Sequence, residues 1–204
     1  MAERAHPKDV GFKDKWLGLK KSRYKEQLYE RYKFCNTYIR GKTVLDIPCG
    51  VGWGTSLLRG AQSVIGIDIS PGAIEFAKKH YRHKRMQFYV GNMESICLED
   101  NAIDVIICLE GFEHISREAC GRFIEESKRV LKTQGLLIMT CPVLNEYGQA
   151  TGNPYHICEY LEDELIETLN KNFRILNLER IAGPDGPEYR AVLCNTKKRL
   201  HSDL

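Results

Sequence analysis

The chain has 204 residues, 43% of them hydrophobic, and a formal net charge of +3, which suffices for one domain with a substantial core. It holds no apolar run of about 18 residues, so no membrane-spanning helix is expected, and its polar, basic N-terminus lacks a signal core, which points to a cytoplasmic location. Eight cysteines include no Cys-x-x-Cys pair, which argues against a thiolate zinc site; Cys49, Cys97, Cys108, Cys141 and Cys194 lie in or beside apolar runs and read as buried, reduced thiols that act as small hydrophobes.

Residues 1–21 form a polar, basic extension, and residues 22–204 read as a single domain. Residues 1–42 carry 12 Lys/Arg against 5 Asp/Glu, a local charge of +7, so the rest of the chain sums to −4. Such an arm attracts phosphate. A solvated helix face explains the same charges, and no RNA-binding signature accompanies them, so nucleic acid is the less favoured partner. Tyr24, Leu28, Tyr32, Cys35 and Ile39 recur at spacings of three and four, which predicts an amphipathic helix over 22–39. Alternation then sets in: strand 43–47, helix 53–60, strand 63–68, helix 71–81 with Ser70 and Pro71 as cap and start, and strand 86–90. After an acidic loop come strand 103–109, helix 117–132 and strand 135–141, with Gly135 read as the break between the last two. Helix 162–172 precedes two strand candidates, 173–181 and 188–195, joined by Gly183-Pro184-Asp185-Gly186-Pro187, a hairpin connection. Alternating strands and helices imply an α/β fold, a doubly wound, mostly parallel sheet.

The most informative stretch is Val44-Leu45-Asp46-Ile47-Pro48-Cys49-Gly50-Val51-Gly52-Trp53-Gly54, an apolar strand ending in an acid and running into a glycine-rich turn. Gly50 and Gly52 allow a ligand close to the backbone, at the carboxyl end of a parallel strand where nucleoside-like cofactors bind. A dinucleotide fingerprint requires a third glycine where Thr55 stands, which disfavours a nicotinamide-dependent oxidoreductase. Asp46 could face a cationic ligand, and Asp68, closing the second strand, is placed to accept both hydroxyls of a ribose.

At these residues the chain resembles the class I S-adenosylmethionine-dependent methyltransferases, whose first motif is Asp-x-Gly-x-Gly-x-Gly; Pro48 replaces the first glycine. The resemblance implies a Rossmann-like sheet of seven strands with the last reversed in a C-terminal antiparallel hairpin. It also implies S-adenosylmethionine as cofactor, held by Asp46, Pro48, Gly50, Gly52 and Trp53, then by Asp68 on the ribose diol with Ile69 against adenine. Asn92 and Met93 would follow after the third strand, and Leu109 and Glu110 after the fourth. Asn92 stands where the family usually has an acid, and its carbonyl oxygen still accepts a hydrogen bond from the adenine amino group. Arg31-Tyr32-Lys33-Phe34 resembles an Arg-Tyr-x-Phe element of some bacterial relatives, where Arg31 would pair with the cofactor carboxylate.

On the acceptor side, Glu110, Glu113 and His114 follow the fourth strand, and His156 comes after the fifth. Three readings stand side by side. In the first the four residues hold a divalent metal, Mn²⁺ or Mg²⁺; the pattern Glu-x-x-Glu-His with a later histidine resembles metal-dependent methyltransferases of small-RNA 3′ ends and ubiquinone-pathway O-methyltransferases. In the second His114 or His156 is a metal-free general base. In the third the residues are a cap and a satisfied loop histidine. The segment from Arg31 to about Phe173 also resembles small bacterial methyltransferases of glycan and lipopolysaccharide biosynthesis. The expected reaction is O-methylation of a hydroxyl on a small molecule or sugar. The alternatives are 2′-O-methylation of an RNA 3′ end, or a non-catalytic cofactor-binding partner subunit.

Overall fold

A computed structural model describes residues 23–144, 148, 150, 152–183 and 186–196. The extension 1–21 with its basic arm, and Pro184 and Asp185 in the hairpin connection, lie outside the described residues.

The first helix, α1 (Arg23–Cys35), stops earlier than the expected residue 39. The polar residues that follow use their side chains locally: Thr37 Oγ1 donates to Phe34 O at 2.7 Å, and Asn36 exchanges hydrogen bonds with Leu57 O and Arg59 N. Side chains of this type offer the backbone an alternative to the helical ladder.

Strands β1 (Thr43–Asp46), β2 (Ser63–Asp68), β3 (Met86–Val90), β4 (Ile103–Cys108), β5 (Leu131–Pro142), β6 (Arg174–Ala182) and β7 (Pro187–Cys194) form one sheet in the order β3-β2-β1-β4-β5-β7-β6. Pairing is parallel from β3 to β5, and β7 runs antiparallel to both β5 and β6. This is the expected seven-stranded, doubly wound sheet with its terminal hairpin. Helices α2 (Pro71–His80), α3 (Arg117–Val130) and α4 (Glu162–Asn172) complete the fold, and Ser70 and Ser116 cap α2 and α3 by accepting from Ala73 N and Ala119 N.

Burial on both faces explains why the strand sequences are continuously apolar. Val44, Val64, Val105 and Ile107 pack with Tyr32, Cys35 and Ile39 on the α1 face. Leu45, Ile106, Cys108 and Leu137 point the other way, toward Phe123, Leu165 and Leu169 of α3 and α4.

Cys97, expected to be buried, is exposed, whereas Cys49, Cys108, Cys141 and Cys194 are buried. Two further expectations are corrected. Instead of a helix over 53–60, the chain makes a single 3-10 turn, Thr55–Leu57. Gly52 and Gly54 disfavour helix there, and the Thr55 hydroxyl is committed to Asp46. The fifth strand begins at Leu131, directly after α3, and Gly135 does not separate them. Residues 132–135 instead bulge between the Ile103–Leu131 and Val105–Leu136 pairs. A side chain at Gly135 would stand 2.9 Å from Lys132 O, so the bulge requires glycine. Asn195, 1% exposed, secures it by donating to the carbonyls of Lys128, Leu131 and Lys132.

Candidate active site

From β1 the sheet winds one way to β2 and β3 and the other way to β4 and β5, so the carboxyl ends of β1 and β4 flank a switch point, where ligands bind in such sheets. The loop leaving β1 is held on both sides: Ile47 N donates to Ile107 O of β4, and Cys49 N to Ile67 O of β2. Gly50 and Gly52 have φ of +53° and +78°. At Gly52 a Cβ would lie 2.8 Å from Ala77 Cβ and 2.9 Å from the Phe88 ring. Asp68 ties the loop to the end of β2, its carboxylate accepting from Gly50 N at 3.0 Å and Ser70 N at 2.8 Å. A carboxylate accepts about four hydrogen bonds, so capacity remains for a diol.

Asp46 does something other than face a ligand. It is fully buried beneath the loop, accepting from Thr55 Oγ1 at 2.6 Å and from the Tyr32 hydroxyl at 3.2 Å. Burial pushes its carboxyl up to about 7 against the pull of those two donors. Through Tyr32, Asp46 fastens the loop to α1, and Gly54 exists for the same contact: a Cβ there would stand 2.1 Å from the Tyr32 ring.

The remaining candidates lie along the rim. Ile69 is 45% exposed at the end of β2, Trp53 and Pro48 are half-buried in the loop, and Met93 and Leu109 are buried. Gly91 N donates to Asp68 O, which draws Asn92 and Met93 to the end of β2. Asn92 Oδ1 already accepts from Glu94 N at 3.0 Å. Gly111 closes the β4 turn onto the loop, with space for a Cβ blocked by Pro48 Cδ at 2.4 Å.

Behind this cradle lies a buried charge cluster that sequence reading found only in part. Arg31, 2% exposed, donates through Nε to Glu188 Oε1 at 2.8 Å, while Nη1 lies 3.2 Å from Glu110 Oε1. Glu110, at φ +53°, is also bonded to Thr140. The guanidinium expected to meet the cofactor carboxylate is therefore engaged by two glutamates of this chain. Glu113 is 1% exposed, and its Oε2 has no hydrogen-bond partner among the described residues. Burial, then the charge of Glu110, drive the Glu113 carboxyl well above its ordinary range. The same two causes push Glu188 up to about 7 although Arg31 opposes them. Glu188 was not singled out from the sequence, because a lone acid opening a terminal strand carries no local signal.

The acceptor-side residues divide. Among the described residues Glu113, His114 and His156 each place a ligating atom within 4.8 Å of the others, and Glu110 is not in that group. Glu113 and His114 sit on the 3-10 turn Phe112–His114. His156 is brought across by its loop, where Ile157 N and Cys158 N both donate to Glu113 O. The two imidazoles meet edge to face with centroids 5.3 Å apart. His114 Nδ1 lies 3.0 Å from Tyr155 O, and His156 Nδ1 lies 2.6 Å from Glu159 Oε1. A carbonyl or carboxylate only accepts, so Nδ1 is the donor in each of these contacts.

A glycine loop and an acid at the first two strand ends, with acids and histidines gathered at the fourth, are the layout expected from the resemblance to class I S-adenosylmethionine-dependent methyltransferases, and a methyltransferase-domain model and methyltransferase relatives match part of the chain. Residues 45–139, from within β1 to within β5, match the family model described as a methyltransferase domain. A protein of Mycobacterium tuberculosis named as a probable S-adenosylmethionine-dependent methyltransferase is 32% identical over 132 residues, 63% of this chain and 47% of the relative. The mitochondrial ubiquinone biosynthesis O-methyltransferase of Schizosaccharomyces pombe is 34% identical over 106 residues, 49% of this chain and 38% of the relative. The chain thus spans about half the length, or less, of these curated relatives. Among solved structures, the Haloferax volcanii complex between the Trm112 methyltransferase activator and a candidate methyltransferase superposes with a TM-score of 0.75 at 16% identity, over 97% of this chain and 99% of the other. None of the described helices is long and apolar enough to cross a membrane.

Proposed function

We propose that this chain transfers the methyl group of S-adenosylmethionine to a hydroxyl oxygen of a small molecule or sugar. The observation that carries this reading is the trio Glu113, His114 and His156, in which both histidines have Nδ1 occupied by an acceptor of the chain. An imidazole that donates through Nδ1 takes up a proton on Nε2, and both rings stand beside a buried carboxylate, an arrangement suited to receiving a hydroxyl proton. The similarity to an O-methyltransferase is consistent with it. When bound, the cofactor supplies an electrophilic methyl group. The chain's own part is to place the acceptor oxygen against it and to receive the proton on His156, whose orientation Glu159 sets.

The same trio fits a divalent cation. Two imidazole nitrogens and one carboxylate suit Mn²⁺ better than Mg²⁺, and outer acceptors on both Nδ1 atoms are what metal-bound histidines use. Glu113, His114 and His156 would hold the ion, which would lower the pKa of an acceptor hydroxyl.

Calorimetric titration of chelator-treated protein with Mn²⁺, in saturating S-adenosylhomocysteine, tests the metal. One-to-one binding lost in His156→Ala supports it and directs the acceptor search to vicinal diols. Absence of metal binding by protein that still binds S-adenosylhomocysteine removes the metal and leaves the His156–Glu159 pair as the base. Methylation of amines but of no hydroxyl across an acceptor panel would overturn the O-methylation reading.

A further inference from the structure

The edge of the sheet farthest from the terminal hairpin is β3. Along it runs a groove of about 610 Å³ lined by Lys78, Tyr81, Arg82, Lys84, Phe88 and Tyr89, among others. The segment Lys78-Lys79-His80-Tyr81-Arg82-His83-Lys84-Arg85 supplies five permanent positive charges in eight residues and no acid. That exceeds the net charge of the whole chain, +3, so everything else sums to −2. All five cations are exposed, and none has an ion-pair partner among the described residues; Arg85 reaches only a backbone carbonyl, Ala61 O, at 3.4 Å.

Two ordinary explanations cover part of this. Lys78, Lys79 and His80 complement the carboxyl end of α2, and lysines discourage edge-to-edge pairing of an exposed strand. Neither accounts for Arg82, Lys84 and Arg85 beyond the helix, nor for the aromatic wall. Tyr89 is 47% exposed with Lys78 Nζ 5.9 Å above its ring, and Tyr81 is half-buried on the same groove. Unpaired cations interleaved with accessible aromatic rings are the construction that binds single strands: phosphates follow the charge and bases stack on the rings. A duplex hides those base faces, and an anionic lipid surface offers no base to stack on the rings.

We infer that the β3-edge groove binds single-stranded nucleic acid, with Arg82 and Lys84 on phosphates and Tyr89 as a stacking platform. Strands β2 and β1 lie between the groove and the end of β4, so the surface is separate from the acceptor residues and does not depend on which hydroxyl is methylated.

The test is fluorescence anisotropy of a labelled single-stranded RNA 12-mer with the full chain, across a salt series. The expected binding weakens with salt. Arg82→Glu/Lys84→Glu should lower affinity at least tenfold and flatten the log–log salt slope by about 1.4, at roughly 0.7 per phosphate contact on a single strand. Tyr89→Ala should lower affinity about fivefold or more, the effect of losing one stacked base. Unchanged S-adenosylhomocysteine binding certifies that each variant is folded. Four results would overturn the inference: no RNA binding at low salt; loss of binding only on reversing Lys20 and Lys21 in the extension; no effect of Tyr89→Ala; or capture by phosphatidylserine vesicles in place of the oligonucleotide.

Discussion

Asp68 holds the loop, and the proposed function also places the ribose on it, so its removal tests the two roles separately. In Asp68→Ala, Gly50 N and Ser70 N each lose a charged acceptor, at 3.0 and 2.8 Å. Hydrogen bonds to a charged group contribute about 1.5–3 kcal/mol each. Water reaches these half-buried amides, so a net stability loss of about 2 kcal/mol is expected, or roughly 4–8 °C in melting temperature for a chain of this size. The ligand should lose more. If two ribose hydroxyls bond this carboxylate, about 3 kcal/mol or more disappears from binding, at least a hundredfold in Kd. Ser70→Ala provides the comparison. It removes the α2 cap on Ala73 N at 3.3 Å, costing about 1 kcal/mol, but leaves the Asp68 carboxylate in place. Calorimetry with S-adenosylhomocysteine beside thermal melts should show Ser70→Ala with a lower melting temperature and near-normal affinity. A folded Asp68→Ala that binds within threefold of the parent would refute the ribose placement.

Other expectations follow from the same geometry. Arg31→Met strands Glu188, itself 2% exposed, and breaking such a buried pair costs about 3–5 kcal/mol above neutral pH. The cost should shrink toward about pH 5 as the carboxyls take up protons, and Glu188→Gln added to it should restore part of the stability; equal losses at both pH values in denaturant titrations would contradict this. Gly54→Ala drives a methyl group into the Tyr32 ring, with a Cβ 2.1 Å away, and should lower stability by about 1–3 kcal/mol, while Tyr32→Leu in the same chain should relieve the clash. Asp46 is an acid raised to about 7 in the folded chain, so the folded state binds more protons than the unfolded one between about pH 4 and 7, and this group's contribution makes stability fall as pH rises through that window. Asp46→Asn should therefore flatten the pH dependence of unfolding free energy; a steeper fall in the variant would show that the carboxyl is ionised in the folded state.

Most of the fold was legible because burial on both faces leaves an unambiguous mark. Val105, Ile106, Ile107 and Cys108 are all apolar since each faces one layer or the other, and a strand is the short element that needs this. The misreadings fall where one side chain overrides a local pattern. Thr55 abandons helix for a bond to Asp46, which lies nine residues back at the end of β1. Gly135 looked like punctuation, yet it serves a bulge inside a strand held by Asn195 from 60 residues farther on.

The site shows the same division between local and distant causes. Asp68, Gly50 and Gly52 could be singled out as candidates because strand ends are visible one at a time, and the structure brings the three together at one loop. Arg31 was visible too, but its partner Glu188 is 157 residues away, and nothing near either residue announces the pair. Its discovery changes what the site is. One guanidinium faces three carboxylates, Glu110, Glu113 and Glu188, and two of these are held above their ordinary range mainly by burial. A cluster with more acid than base is poised for positive charge, and a sulfonium or a divalent cation each carries it. Arg31 accordingly reads as the group that keeps the cluster from being wholly anionic.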